Sequence, residues 1–110
     1  MVLNIAMNYG GRDEIVNAVK NIINETKDGN IDIDSINADM LSDYMYTKGQ
    51  PDPDLIIRPS GEYRTSNFLL WQSAYAEYCI MDVLWPDFKS DDLDRALIEF
   101  AKRNRRFGGV

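Results

Sequence analysis

Arg58 and Arg64 frame a short run of polar and turn-forming residues, and Thr65, Ser66 and Asn67 follow at once. From Pro59 to Asn67 no aliphatic side chain interrupts the run. Arginine keeps its charge at physiological pH and offers a planar fork of N–H donors to phosphate oxygens. Ser60, Thr65 and Ser66 add hydroxyls, and Gly61 lets backbone N–H groups come close to a ligand. A helix starting near Ser66 would add unpaired donors of its own. Together these features predict a cradle for a phosphate or a diphosphate. The competing reading is that Glu62 neutralises one arginine and the loop is a polar connector.

Other chemistry is bounded by what is missing. The chain contains no histidine, which removes an imidazole base, a Ser–His–Asp arrangement and histidine metal ligands. A lone Cys79 excludes an internal disulfide and a multi-cysteine zinc site, and inside an apolar run it reads as an inert buried thiol. Chemistry therefore falls to carboxylates, arginines, hydroxyls and backbone. Glu77, with Asp82 and Asp87 beyond it, is a carboxylate that could hold Mg²⁺ beside a diphosphate, because Mg²⁺ takes one or two carboxylates plus phosphate oxygens and water. A plain structural hydrogen bond is the alternative for Glu77. Tyr9-Gly10-Gly11-Arg12 is a turn from strand to helix, and Arg12 could face the same anion. Trp71, Tyr75, Trp85 and Phe88 read as core.

With 110 residues, a net charge of −6 and ordinary apolar content, the chain fits one globular domain or part of a larger one. Disorder is not expected at 45% hydrophobic residues. Acidic residues gather between positions 25 and 43, whereas Lys102, Arg103, Arg105 and Arg106 close the chain. The closing cluster reads first as a solvated helix end, favoured by the helix dipole. Acidity argues against a nucleic-acid binder. Neither a membrane-length apolar run nor a signal-peptide pattern is present, so an intracellular location is expected and the Asn24-Glu25-Thr26 sequon is idle.

Three strands are expected to position these groups. The first is the apolar run 1–8, read as a strand buried on both faces whose abrupt start resembles a boundary inside a sheet. The others are 55–57, ending at Arg58, and 78–84, closed by Trp85-Pro86. Helices are expected from Arg12 to Thr26, over about 38–45 with Asn37 as N-cap, over 68–75 with Ser66 as cap, and last from a Ser90 cap, with Leu93, Ala96, Leu97, Phe100 and Ala101 on one face, to a stop at Gly108-Gly109. Alternation of this kind predicts parallel βαβ connectivity, with ligands beyond the carboxyl ends of the strands.

Asn8-Tyr9-Gly10-Gly11-Arg12, the run from Asp54 through Gln72, Leu84-Trp85-Pro86-Asp87-Phe88 and the closing Arg105-Arg106-Phe107-Gly108-Gly109 resemble the cis-prenyltransferases, and within them bacterial undecaprenyl diphosphate synthase. The resemblance spans the whole chain but only the later half of the family's fold. It implies an α/β parallel-sheet sandwich of the cis-prenyltransferase type, with about three strands alternating with helices and incomplete relative to the full fold. Residues 1–110 would be the C-terminal part of such a domain.

The implied activity is transfer of prenyl groups in isoprenoid biosynthesis. Isopentenyl diphosphate is condensed with an allylic diphosphate such as farnesyl diphosphate, with Mg²⁺ assisting, to form Z double bonds and a cell-wall lipid carrier. By matching positions Arg58, Arg64, Thr65 and Ser66 would bind the diphosphate of isopentenyl diphosphate, and Glu77 would be a Mg²⁺ ligand. Arg106-Phe107-Gly108 matches an arginine-x-glycine motif that reaches into the diphosphate site across a dimer interface, so Arg106 and Gly108 join the substrate-binding set. No residue of the segment is assigned a certain catalytic role. The family's Met-Asp-Gly-Asn-Gly-Arg-Trp-like and Phe-Ser-x-Glu-Asn-Trp-like motifs are absent, and Pro59 stands where threonine is commoner. The expectation is therefore a chain that does not turn over alone, acting as a homodimer or with a complementary chain. A cytoplasmic site is expected, with the lipid product at the membrane surface and peripheral association open. The alternative is a non-catalytic diphosphate-binding or partner subunit of a synthase complex.

Overall fold

Residues 1–104 and 106–108 are described in a computed structural model. Arg105 and Gly109, both part of the closing motif, lie outside the described residues. The chain divides into two compact units, one of residues 1–51 with 66–71, the other of 52–65 with the described residues from 72 onward.

In the first unit α1 spans Gly11–Lys27 and α2 spans Ala38–Ser42. Asp13 and Glu14 occupy the first turn of α1, where the positive end of the helix favours them. At its far end Gly29 takes φ +76°, and the N–H groups of Gly29 and Asn30 reach back to the carbonyls of Thr26 and Glu25. Asn37 caps α2 as expected, its Oδ1 accepting from the Met40 N–H at 2.9 Å. Ala18, Ile22 and Met45 are the buried apolar residues of this unit.

Glu14 is buried too, at 1% exposed, and it is satisfied there. It accepts from the Tyr9 hydroxyl at 2.5 Å and from the Tyr46 N–H at 2.7 Å. Tyr9 meets Phe68 edge-on at 5.8 Å.

The expected strand over 1–8 does not form. Residues 1–6 have no regular structure and the segment is exposed, with Asn8 turning the chain at φ +50°. Strand propensity needs a partner ladder to act on, and among the described residues none pairs with 1–8.

The second unit is built on two parallel strands, β1 (Leu55–Arg58) and β2 (Glu77–Ile80), with Leu55 opposite Glu77 and Arg58 opposite Ile80. Beyond the ladder the pairing continues: the Met81 N–H donates to the Arg58 carbonyl, the Ser60 N–H to Val83 and the Gly61 N–H to Met81. The third expected strand, 78–84, is thus β2 plus an irregular extension. Helix α3 (Ser90–Ala101) packs Ala96 against Cys79 and Met81, with Leu55, Ile57, Val83 and Phe88 around them. Lys89 is its N-cap rather than Ser90, because the Asp92 carboxylate accepts from the Lys89 N–H at 2.9 Å. Parallel pairing matches the expected connectivity; the sheet has two strands among the described residues.

Two aromatic residues expected in the core are on the surface. Tyr75 is 52% and Trp85 68% exposed. Each has an aromatic neighbour, Phe107 at 5.6 Å and Phe88 at 5.5 Å respectively. Trp71 and Phe88 are half-buried.

Candidate functional site

The arginine loop leaves the carboxyl end of β1. Arg58 closes that strand and is half-buried. Arg64 is exposed, and its guanidinium is ion-paired with the Glu62 carboxylate. The connector reading of the sequence therefore has a real basis at Arg64, although the pair is open to water and so weak. Thr65 is exposed and ends this part of the unit.

Two donor sources predicted for the cradle are used otherwise. Ser60 and Gly61 direct their N–H groups at the carbonyls of Val83 and Met81, both at 2.8 Å, so neither faces an anion. Gly61 is needed for another reason: it takes φ +61°, and a Cβ there would lie 3.1 Å from Asp82 Oδ1. The expected helix over 68–75 is replaced by turns. Ser66, Asn67 and Leu69 have φ of +51°, +64° and +47°, which a right-handed helix cannot contain. A tertiary contact overrides local propensity here, since Asn67 is held by the start of α1: its carbonyl accepts from the Gly11 N–H at 2.7 Å and its Oδ1 from the Arg12 N–H at 2.9 Å. Ser66 is exposed in the first unit, beside that contact.

Glu77 opens β2, so the register puts it at the opposite end of the strand pair from Arg58. Its carboxylate lies 3.5 Å from Arg103 Nη1 and is 27% exposed. Among the described residues no three carboxylate, cysteine or histidine side chains gather as a metal-ligand group. Glu77 thus offers one carboxylate, within the one or two that Mg²⁺ takes from a protein, but it is paired with Arg103 and lies away from the Arg58 end of the strands.

Arg103 is the charged residue that the sequence reading missed. It is no solvated helix end: Nη1 donates to the Tyr78 carbonyl at 2.6 Å and Nη2 to Glu99 at 2.6 Å. The Glu99 hydrogen bond raises the Arg103 pKa, and the same bond lowers that of Glu99. Its spacing of four residues from Glu99 was the available signal. Arg106 and Gly108 are exposed beyond α3, with Gly108 at φ +72°. Cys79 is 3% exposed, and burial pushes its thiol pKa up, as expected of an inert thiol.

A mixed α/β fold with a parallel strand pair, carrying an arginine at its carboxyl end, is the class that these features define. Two solved structures similar to this chain are named as diphosphate synthases. Lavandulyl diphosphate synthase from Lavandula x intermedia, in complex with dimethylallyl diphosphate, superposes with a TM-score of 0.91 at 39% identity, over 94% of this chain and 45% of that one. A probable undecaprenyl diphosphate synthase from Campylobacter jejuni gives 0.78 at 34% identity, over 96% and 47%. The isoprenyl transferase of Clostridium perfringens is 58% identical over all of this chain and 44% of its own length; that of Bacillus subtilis is 53% identical over all of this chain and 42% of its own.

The prenyltransferase family described as "Putative undecaprenyl diphosphate synthase" matches residues 1–108, and the chain belongs to it. The chain spans less than half the length of these relatives. No helix among the described residues is long and apolar enough to cross a membrane.

Proposed function

We propose that this chain carries the isopentenyl-diphosphate side of a cis-prenyltransferase site, within an enzyme that condenses isopentenyl diphosphate with an allylic diphosphate such as farnesyl diphosphate. The family match over residues 1–108 carries the reading. Arg58 and Arg64 offer charge-assisted hydrogen bonds to a diphosphate, and Thr65 and Ser66 offer hydroxyls. Arg106 and Gly108 act on a diphosphate across a dimer interface, as the arginine-x-glycine resemblance implies. In the reaction the allylic carbon–oxygen bond breaks, a carbon–carbon bond to isopentenyl diphosphate forms, and diphosphate and a proton depart. Negative charge grows on the leaving group, and fixed positive charge stabilises it.

Glu77 would hold Mg²⁺, whose charge neutralises diphosphate oxygens when bound. Residues 1–110 serve as the C-terminal part of the domain and do not turn over alone. The location is cytoplasmic, with a lipid product delivered at the membrane surface for cell-wall synthesis. The alternative reading is a non-catalytic diphosphate-binding or partner subunit of a synthase complex.

Calorimetric titration with isopentenyl diphosphate tests the binding claim. Replacing Arg58 or Arg64 by alanine is expected to cost roughly 1.5–3 kcal/mol of binding, the scale of a hydrogen bond to a charged group. Arg64 belongs at the low end because water screens it. Unchanged affinity in both variants would remove the cradle.

A further inference from the structure

The entry to α1 at Gly10-Gly11 and the polar loop ending at Asn67 are far apart in sequence, and the structure locks them together. Asn67 gives both of its acceptors to α1: its carbonyl takes the Gly11 N–H and its Oδ1 the Arg12 N–H, at 2.7 and 2.9 Å. Gly10 provides no side-chain cap, so Asn67 caps the helix from another part of the chain.

The approach is close at both glycines, against a side chain at Gly10 and against backbone at Gly11. A Cβ on Gly10 would lie 2.9 Å from Asn67 Nδ2. On Gly11 it would lie 2.9 Å from Leu70 Cγ and 3.0 Å from the Asn67 carbonyl oxygen. The clasp also holds a costly backbone. Ser66 and Asn67 both sit in the left-handed region, at φ +51° and +64°. Asparagine tolerates that region; serine does so less readily, and a residue stays there only when its surroundings fix it.

We infer that Asn67 is a positioning residue: by clasping the start of α1 it fixes the backbone of Ser66, and so aims the hydroxyl that this segment presents to a diphosphate. The inference rests on the reading of Ser66 as a diphosphate-binding residue. Asn67 itself makes no ligand contact in this account. The helix start is likewise no anion site, because its first two N–H groups already face Asn67.

The test is a double-substitution cycle read by calorimetric titration of the chain with isopentenyl diphosphate, using Asn67→Ala, Ser66→Ala and both together. Each single change is expected to weaken binding about tenfold, the scale of one hydrogen bond to a charged group. The double variant is expected to match Ser66→Ala, since residues acting through one contact are not additive. Hydrogen exchange at the Gly11 and Arg12 amides is expected to quicken in Asn67→Ala. Gly10→Ala is the gentler companion should Asn67→Ala fail to fold, because the atoms nearest the added Cβ belong to the Asn67 and Asp13 side chains; it is expected to weaken binding in the same direction, and to do nothing in a Ser66→Ala background.

Weakening by Ser66→Ala but not by Asn67→Ala or Gly10→Ala would overturn the positioning role and leave the diphosphate reading standing. Additive losses in the double variant would also overturn it. Undiminished binding in Ser66→Ala would remove the diphosphate reading of Ser66, and the positioning role with it.

Discussion

At the scale of single residues, charge pairing decides what each group is free to do. Glu62 holds Arg64 in an exposed ion pair, so an incoming diphosphate competes with a carboxylate for that arginine. Glu62→Gln is expected to tighten isopentenyl diphosphate binding several-fold, in proportion to an exposed pair worth about 0.2–1 kcal/mol; calorimetry showing weaker binding would contradict the competition. Glu14 is the opposite case, a buried carboxylate with the Tyr9 hydroxyl and the Tyr46 N–H as donors. Glu14→Ala leaves both donors without that acceptor and is expected to lower unfolding free energy by about 1–3 kcal/mol in denaturant titration. Burial raises the pKa of the Cys79 thiol, with Glu99 adding to it, and burial followed by the Glu14 hydrogen bond raises that of Tyr9. Both shifts favour the protonated form in the folded state. For Cys79 the stabilisation is whole below the ordinary thiol value of about 8.5 and is lost as pH rises above it toward the folded value; for Tyr9 the loss begins only above the ordinary phenol value of about 10. The thermal midpoint is expected to fall between about pH 8 and 10, and to fall less in Cys79→Ala.

Among the elements, α1, α2, β1 and α3 were legible because each carries its own signal. α1 has apolar residues at helical spacing, α2 has Asn37 as a cap, and α3 has Asp91 and Asp92 in its first turn. The segment 66–75 was not legible, because the residue that denies it a helix, Asn67, acts through a contact with Gly11 and Arg12 that no local pattern announces. The strand expected over 1–8 failed for a related reason: its apolar content is real, but a strand is a property of a pair. The same limit applies to the site. Arg58 at a strand end was readable from β1, whereas the engagement of the Gly61 N–H by Met81 was not. Ala96 is fully buried against Cys79 and Met81, which makes α3 sensitive to volume. Ala96→Leu is expected to cost about 1–3 kcal/mol by overpacking, visible as a lower denaturation midpoint.

For the molecule as a whole, the family was legible from the residues of its motifs, and the match over residues 1–108 agrees with it. Large apolar side chains stay on the surface, among them Leu3, Ile5, Met7, Trp85 and Ile98. Exposed apolar surface of that kind favours association. Sedimentation is expected to show concentration-dependent self-association of the chain, and a monodisperse, highly stable monomer would contradict this. The central claim is that the chain supplies one side of a prenyltransferase site and needs the other. Its most direct test is incorporation of labelled isopentenyl diphosphate into lipid-extractable product, with farnesyl diphosphate and Mg²⁺ supplied, by the chain alone and mixed with a fragment bearing the family's first-half motifs. No product alone and product on mixing is the predicted result; product from the chain alone, or none from the mixture, would contradict it.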